Sequence, residues 1–191
     1  MVKIILGSAS PRRRELLSGL DIDFTIDTGN SFRESMDEGA DPHEIPVRMA
    51  EGKSQGFHRP LDKDELLITA DTVVILREEG RVLGKPHSRE EAVEMLQALS
   101  GRTHEVLTAV CFRDLGSVKT VTDSTFVHFR RLDADEIDHY VDKYRPYDKA
   151  GSYGVQEWIG YVAIDHIEGS FYNVMGLPVH AVYEEIKNRM K

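Results

Sequence analysis

The feature that most constrains the fold of this chain is an apolar segment at residues 66–76 that a single carboxylate interrupts. It reads LLITADTVVIL, so β-branched and other apolar residues surround Asp71 on both sides. An apolar run of this length and composition predicts a central strand of a sheet, covered on both faces. A buried carboxylate costs on the order of several kcal/mol unless it is paired, hydrogen-bonded or bound to metal. We therefore expect a functional role for Asp71; the alternative is that it caps a turn at a strand end or bulge.

Strand and helix signals alternate along the rest of the chain. Residues 3–7 predict a short buried strand, after which Ser10 is an N-cap and Pro11 the first position of a helix that runs to about residue 20. Further expected elements are a strand at 24–27, a helix at 41–57, a helix with a capping box of Ser88 and Glu91, an antiparallel pair of strands at 103–113 and 118–131, a helix that Asp133 and Glu136 cap, a strand at 162–167 and an amphipathic helix after Pro178. The 191 residues predict one α/β domain, 1–191, with a mixed twisted sheet flanked by helices.

The composition excludes several classes of protein. The chain has 24 Lys and Arg against 33 Asp and Glu, a net charge of −9, which disfavours binding to nucleic-acid backbones or anionic membranes. Cys111 is the only cysteine, so an intrachain disulfide and a multi-cysteine zinc site are excluded. The N-terminal apolar run, residues 4–6, is too short for a signal peptide or a membrane span. We expect a cytoplasmic protein with no nucleic-acid or membrane partner.

The segment SASPRRR, residues 8–14, predicts an anion-binding site. Small residues and three arginines lie where a strand gives way to a helix. Free backbone N–H groups and the positive end of the helix dipole favour a phosphate at such a turn. The segment matches neither a Walker loop nor the GxGxxG pattern. The alternative is a capped helix whose arginines are solvated.

Other polar residues are candidates on weaker grounds. Lys85, in the segment LGKP, follows a strand and can reach a phosphate as a point charge, although most loop lysines are solvated. Lys53 lies on the predicted second helix and is alternatively part of its polar face. Thr72 either contacts a ligand or is an ordinary strand residue. Glu34 lies in an expected loop, residues 28–40, where a carboxylate either binds a ligand or is exposed.

Six short motifs are distributed over nearly the whole chain. They are SASPRRRELL at 8–17, ADTVV at 70–74, LGKP at 83–86, SGRTH at 100–104, DKAGSYGVQ at 148–156 and YNVMGLP at 172–178. In this order they resemble the Maf family of nucleoside triphosphate pyrophosphatases. The resemblance implies the ITPase-like α/β fold of that family, with a mixed sheet and two lobes around a cleft, and usually a homodimer.

The resemblance to the Maf family also implies an activity. The family hydrolyses the α–β phosphoanhydride of a nucleoside triphosphate with a divalent metal, Mg²⁺ or Mn²⁺, and releases the nucleoside monophosphate and pyrophosphate. By resemblance, Asp71 is the base or a metal-binding carboxylate, and Glu34 is the second metal-side carboxylate. The residues expected to bind the phosphates are Lys53, Lys85, Ser8, Arg12 and Arg13.

Three positions match the branch of the family that hydrolyses dTTP and UTP, namely Arg12, Thr72 and Gln156. In the branch that acts on 7-methyl-GTP, a glutamate is expected where Gln156 stands. A neutral amide offers a donor and an acceptor to a pyrimidine edge, whereas a carboxylate suits a cationic methylated guanine. The resemblance therefore implies metal-dependent sanitation of the nucleotide pool, with dTTP and UTP as substrates.

The chain departs from the family pattern in two places. The acidic pair of the family reads Arg33-Glu34 here, with Asp37 and Glu38 nearby, and its lysine-alanine pair reads Lys53-Ser54. Two other functions stay open. One is a nucleotide-binding regulator of cell division and septum formation, which needs the phosphate pocket but not Asp71. The other is a 7-methyl-GTP pyrophosphatase.

Overall fold

The computed structural model describes residues 2–33 and 39–190, which divide into two compact units. The first unit contains Met1–Asp71, Thr108–Asp123 and Gly176–Lys191, and the second contains Thr72–Leu107 and Ser124–Met175. Each unit is assembled from segments that are distant in the sequence. The single domain 1–191 stays a prediction.

A mixed sheet of seven strands runs through the described residues. The strands are β1 Lys3–Leu6, β2 Phe24–Ile26, β3 Glu65–Leu76, β4 Arg81–Leu83, β5 Thr103–Arg113, β6 Val118–Phe129 and β7 Ile164–Glu168. Their order is β2-β1-β3-β5-β6-β7, and β4 pairs with β3. β1 is parallel to β2 and β3, whereas β4 is antiparallel to β3 and β7 is antiparallel to β6. The prediction of an α/β fold with a mixed sheet is confirmed.

The helices agree largely with the capping signals. They are α1 Pro11–Ser18, α2 Ile45–Gln55, α3 Arg89–Leu99, α4 Ala134–Tyr144, α5 Trp158–Ala163, α6 Phe171–Met175 and α7 Val179–Arg189, with a short 3₁₀ helix at Ala150–Ser152. The capping box of Asp133 and Glu136 is complete at α4. At α3, Ser88 Oγ accepts from the N–H of Glu91, but the Glu91 carboxylate accepts from the N–H of His87. Among the helices described here, none has the length and apolar character needed to cross a membrane.

Two predicted elements begin later than expected, by two residues or more. α2 begins at Ile45 and not at residue 41, because Pro46 fits the first turn of a helix, where its missing N–H needs no partner. The strand expected at 162–167 begins at Ile164, because α5 extends to Ala163. α5 and α6 were not predicted, since helices of one or two turns are too short to show a periodic apolar pattern.

β3 confirms the prediction of a central apolar strand with Asp71 inside it. Within this strand the residues that are not buried are Glu65, Asp71 and Thr72. Asp71 therefore does not cap a turn at the strand end. In the first unit, Leu67 of β3 packs in one core cluster with Ile5, Phe57 and Leu61. This packing accounts for the apolar character of the segment around the carboxylate.

Candidate active site

The carboxyl end of β1 lies at a place in the sheet where ligands commonly bind. In the first unit, β1 is parallel to β2 on one side and to β3 on the other. The chain leaves β1 for α1 and β2, and returns through α2 to β3 on the opposite side of β1. Such a topological switch point opens a crevice between diverging loops. The N–H of Gly7 donates to the carbonyl oxygen of Ile68 (2.8 Å), which fixes the loop after β1 against β3.

The N-terminus of α1 has the capping contacts that the sequence predicts. Ser10 Oγ accepts from the N–H of Arg13 (3.4 Å), and Pro11 is in the first turn. Ser8 Oγ in turn accepts from the N–H of Ser10 (3.3 Å). Arg12 lies in the same turn and is half-buried. These contacts orient a turn whose amide groups and dipole favour an anion.

Arg13 connects three parts of the first unit. Its Nε donates to the carbonyl oxygen of Gly176 (2.9 Å), and one of its Nη atoms donates to the carbonyl oxygen of Ala70 (2.7 Å) and to Ser8 Oγ (3.5 Å). Ala70 directly precedes Asp71. One guanidinium thus fixes the backbone beside the predicted carboxylate, the loop after β1 and the segment before α7. Its contact with phosphate stays a prediction.

Lys53 and Asp71 form an ion pair in which both side chains are largely buried. Lys53 Nζ lies 2.7 Å from Asp71 Oδ1, and 20% and 17% of the two side chains are exposed. Lys53 is in the last turn of α2, and that helix is joined to β3 because Thr69 Oγ1 donates to the carbonyl oxygen of Ala50 (2.7 Å). The structure therefore supplies the cationic partner that a buried carboxylate requires. Lys53 is not simply a solvated residue on a polar helix face.

The second unit contains the other predicted residues, Thr72, Lys85 and Gln156. Thr72 is half-buried in β3, and Lys85 is exposed in the connection from β4 to α3. The carbonyl oxygen of the residue before Lys85 accepts from the N–H of Gly151 (3.0 Å). Gln156 Oε1 is buried and has no hydrogen-bond partner in the part of the chain that the structure describes. A buried oxygen without a partner is costly, and a donor on a ligand can satisfy it.

Gly151 explains the tight turn in the motif at 148–156. Its φ of +66° lies in the left-handed region that favours glycine. A Cβ at this position would lie 2.9 Å from Cγ2 of Val74 on β3. The segment can therefore approach the strand that carries Thr72 closely only with glycine here.

A buried polar network beside Gln156 was not predicted. Tyr140 of α4 is fully buried; its hydroxyl donates to Glu157 Oε2 and accepts from the N–H of Gly154 (3.0 Å). Lys149 Nζ lies 3.1 Å from Glu157 Oε1. Burial, together with the hydrogen bond to Glu157, raises the pKa of Tyr140 well above its ordinary value. Sequence patterns offer little signal for this network, because a tyrosine on the apolar face of a helix also fits an ordinary core position.

Comparison with known proteins places this chain in a family. The Maf-like protein family matches residues 3–189. The chain belongs to the Maf family. A protein of Porphyromonas gingivalis named dTTP/UTP pyrophosphatase is 53% identical over 188 residues, which cover 97% of this chain and 94% of that protein. Proteins of the same name from Parabacteroides distasonis and Bacteroides fragilis are 50% and 48% identical, over 97% of this chain and 95% of each relative.

A solved structure shares the fold of this Maf family chain at low sequence identity. The structure of a HAM1 protein from Coxiella burnetii aligns with a TM-score of 0.52 and 14% identity, covering 98% of this chain and 100% of that chain. At this identity the likeness concerns the fold alone. It supports the fold class predicted from the sequence.

The Maf family resemblance implies a divalent metal, for which Asp71 is a suitable ligand. Over residues 2–33 and 39–190, no group of three or more His, Cys, Asp or Glu side chains is arranged to hold a metal ion. Mg²⁺ in nucleotide enzymes, however, binds through one or two carboxylates together with substrate phosphates. Asp71 Oδ1 lies 2.7 Å from Lys53 Nζ, and as a carboxylate Asp71 has the oxygen chemistry that Mg²⁺ prefers. Glu34, the second predicted ligand, lies outside the described residues, as do Asp37 and Glu38.

Proposed function

We propose that this chain hydrolyses dTTP and UTP at the α–β phosphoanhydride and releases the nucleoside monophosphate and pyrophosphate. The observation that carries the proposal is the largely buried Lys53–Asp71 pair, held next to the anion-binding turn at the start of α1. The substrate class is supported by relatives named dTTP/UTP pyrophosphatase, at 53% and 50% identity over nearly the whole chain.

The phosphates bind to a local positive site on an acidic protein. The first-turn amide groups of α1, together with Ser8, Arg12 and Arg13, contact phosphate oxygens. Lys53 adds positive charge in the same unit, and the contact of Lys85 with phosphate stays a prediction. Together these groups stabilise the negative charge that develops on the leaving pyrophosphate. With a net charge of −9 on the whole chain, a triphosphate is attracted by this local potential and not by the overall charge.

Asp71 activates the attacking water. Hydrolysis adds the oxygen of water to phosphorus, breaks the bridging P–O bond and releases a proton. The Asp71 carboxylate orients the water and accepts that proton directly, or it acts as a metal ligand together with Glu34. Lys53, 2.7 Å from Oδ1, fixes the direction of the carboxylate. Mg²⁺ or Mn²⁺, when bound, makes water more acidic and neutralises phosphate charge.

Gln156 and Thr72 recognise the base. The buried Oε1 of Gln156 accepts from the N3–H group of uracil or thymine, and its amide nitrogen donates to the O4 atom. Thr72 contributes a hydroxyl from β3. Arg12 completes the set of positions that match the dTTP and UTP branch.

The experiment that tests this function is a panel of pyrophosphate-release assays. The substrates are dTTP, UTP, dCTP and 7-methyl-GTP, each with Mg²⁺ or Mn²⁺, and chromatography identifies the first products. We expect dTTP and UTP to be hydrolysed fastest, to the monophosphate and pyrophosphate. Faster hydrolysis of 7-methyl-GTP would contradict the branch, and a nucleoside diphosphate as first product would contradict the cleavage site. The homodimer and the cytoplasmic location stay predictions.

A further inference from the structure

A four-residue turn at 154–157 contains Gln156 and is held at both ends by one oxygen atom. The N–H of Glu157 donates to the carbonyl oxygen of Gly154 (2.9 Å), which closes the turn. At the first end, the N–H of Gly154 donates to Tyr140 Oη (3.0 Å). At the other end, the same hydroxyl donates to Glu157 Oε2. The hydroxyl of Tyr140 therefore uses both its donor and an acceptor on the turn that carries Gln156.

The groups around this turn are packed in mutual contact. The ring of Tyr140 stacks on that of Tyr144, with centroids 5.1 Å apart and an interplanar angle of 23°. Lys149 Nζ lies 3.1 Å from Glu157 Oε1, and its side chain is 9% exposed. A Cβ on Gly154 would lie 3.0 Å from Glu157 Cδ and 3.1 Å from Lys149 Cε. These residues cannot shift independently of one another, so the position of the turn depends on all of them.

The hydrogen bond between Tyr140 and Glu157 has a fixed direction, with the tyrosine hydroxyl as the donor. Glu157 accepts from two groups, the ammonium of Lys149 and the hydroxyl of Tyr140. Burial and the bond to the carboxylate raise the pKa of Tyr140 above its ordinary value, which further favours the neutral hydroxyl as the donor to Glu157. Because the proton is directed at Glu157, a lone pair of the same oxygen accepts from the N–H of Gly154.

We propose that the Tyr140 hydroxyl, through Glu157 and Gly154, fixes the placement of the Gln156 amide and so sets the preference for uracil and thymine over cytosine. This inference rests on the proposed function. Tyr140 is a positioning residue, because it acts through the turn and not on the nucleotide.

The chemistry of the bases explains why placement matters for this choice. Uracil and thymine present a donor at N3 and an acceptor at O4, whereas cytosine presents an acceptor at N3 and a donor at its amino group. A glutamine amide matches either base, because half a turn about its last torsion exchanges its oxygen and nitrogen. Discrimination therefore requires that the amide be held in one orientation, at a cost to the other base.

The test compares Tyr140→Phe with a matched control, Tyr144→Phe. The first substitution keeps the ring and removes the hydroxyl that holds the turn. The second removes a hydroxyl from the ring stacked on it, in the same helix. For each variant, kcat and KM are measured with dTTP and with dCTP by pyrophosphate release in the presence of Mg²⁺, and thermal melts establish that the variant is folded.

We expect the ratio of kcat/KM for dTTP to that for dCTP to fall about tenfold in Tyr140→Phe, as is typical for the loss of one or two neutral hydrogen bonds. The fall arises from a higher KM for dTTP, while kcat at saturating dTTP changes by less than about twofold because the Lys53–Asp71 pair is intact. Tyr144→Phe keeps the wild-type ratio. A folded Tyr140→Phe protein with the wild-type ratio would overturn the inference, as would a fall in kcat with no change in the ratio.

A second variant, Glu157→Gln, keeps the test decisive if Tyr140→Phe does not fold. It retains an oxygen that can accept from Tyr140 and removes the charge of one of the two carboxylates that pair with Lys149, the other being Asp148. We therefore expect the same ratio to fall, by less than in Tyr140→Phe. An unchanged ratio in this variant would also overturn the inference. Failure of the proposed function is recognised separately, because a wild-type protein that releases no pyrophosphate from dTTP, or does not prefer it to dCTP, contradicts that function before any variant is considered.

Discussion

The substitution Asp71→Asn removes one negative charge from the Lys53–Asp71 pair and keeps the shape of the side chain. The amide oxygen can still accept a hydrogen bond from Lys53 Nζ, which lies 2.7 Å away in the wild type. The amide can neither accept the proton of an attacking water nor bind a metal as a carboxylate does. The turnover rate should therefore fall much more than the free energy of unfolding in Asp71→Asn.

The burial of the pair sets the size of the effect on stability. Removing one partner of a fully buried ion pair costs about 3–5 kcal/mol, and an exposed pair contributes about 0–1 kcal/mol. With 17% of Asp71 and 20% of Lys53 exposed, this pair lies between the two limits. We expect Asp71→Asn to lower the free energy of unfolding by about 1 kcal/mol, because the amide keeps the hydrogen bond. Lys53→Met should cost about 2–3 kcal/mol, because it leaves the buried carboxylate without a cation.

The assay combines urea unfolding with pyrophosphate release from dTTP for the two single variants and the double variant. Turnover should fall by at least about 10²-fold in Asp71→Asn, as is typical for loss of a general base. The double variant should be more stable than Lys53→Met, since no buried charge is left unpaired, and yet be as inactive as Asp71→Asn. In the double variant the free energy of unfolding would then recover relative to Lys53→Met, while the turnover rate would not recover.

Two results would refute this reasoning. A folded Asp71→Asn protein with near-wild-type turnover in the presence of metal would show that Asp71 is not catalytic. A double variant no more stable than Lys53→Met would show that the two side chains do not stabilise each other. If activity and stability instead fell in parallel across all three variants, the pair would be structural.

Three further changes test other parts of the structure. Gln156→Glu should lower kcat/KM for dTTP by an amount equivalent to about 1–3 kcal/mol, because a carboxylate cannot donate a hydrogen bond to the base. Unchanged relative rates over the nucleotide panel would show that Gln156 does not recognise the base. Arg13→Lys should lower the free energy of unfolding by about 1–3 kcal/mol, since the single nitrogen of an ammonium cannot occupy both the Nε and the Nη positions from which Arg13 contacts two carbonyl groups. The control Arg14→Lys, exposed on the same helix, should change the free energy of unfolding little, and equal losses in the two variants would contradict the bridging role. Burial lowers the pKa of His104 from 6.5 to about 3, so the folded protein leaves this ring neutral while the unfolded chain protonates it. The contribution of His104 to the free energy of unfolding is complete above pH 6.5 and is lost toward pH 3, by about 1.4 kcal/mol per pH unit. His104→Gln should therefore reduce the slope of the free energy of unfolding against pH by that amount. An identical slope in both proteins would contradict this prediction.

Sequence patterns predicted the local structure of this chain well because the forces behind them are local. A helix cap joins residues three positions apart, and Ser10 and Asp133 cap α1 and α4 as expected. The apolar run at 66–76 identified β3, since burial on both faces requires such a run. Short helices escaped prediction because α5 and α6 contain too few turns for a periodic signal.

The sequence also showed where chemistry was to be expected, because a charge in an apolar strand is costly wherever the strand lies. Asp71 stands out on this ground from the sequence alone. The six motifs added the family, and the family match over residues 3–189 confirmed it. What the sequence by itself determined was therefore most of the longer helices and strands, the family and the position of one unusual carboxylate.

Tertiary structure alone decided which side chains meet. Lys53 approaches Asp71 because α2 is joined to β3, and Arg13 reaches a carbonyl 163 positions away because the segment before α7 returns to the start of α1. Tyr140 holds the turn at 154–157 by a hydroxyl that no local pattern distinguishes from that of any core tyrosine. Such contacts join groups from distant segments, and their geometry follows from the packing of whole elements, whereas periodicity and capping express only the interactions of neighbours along the chain.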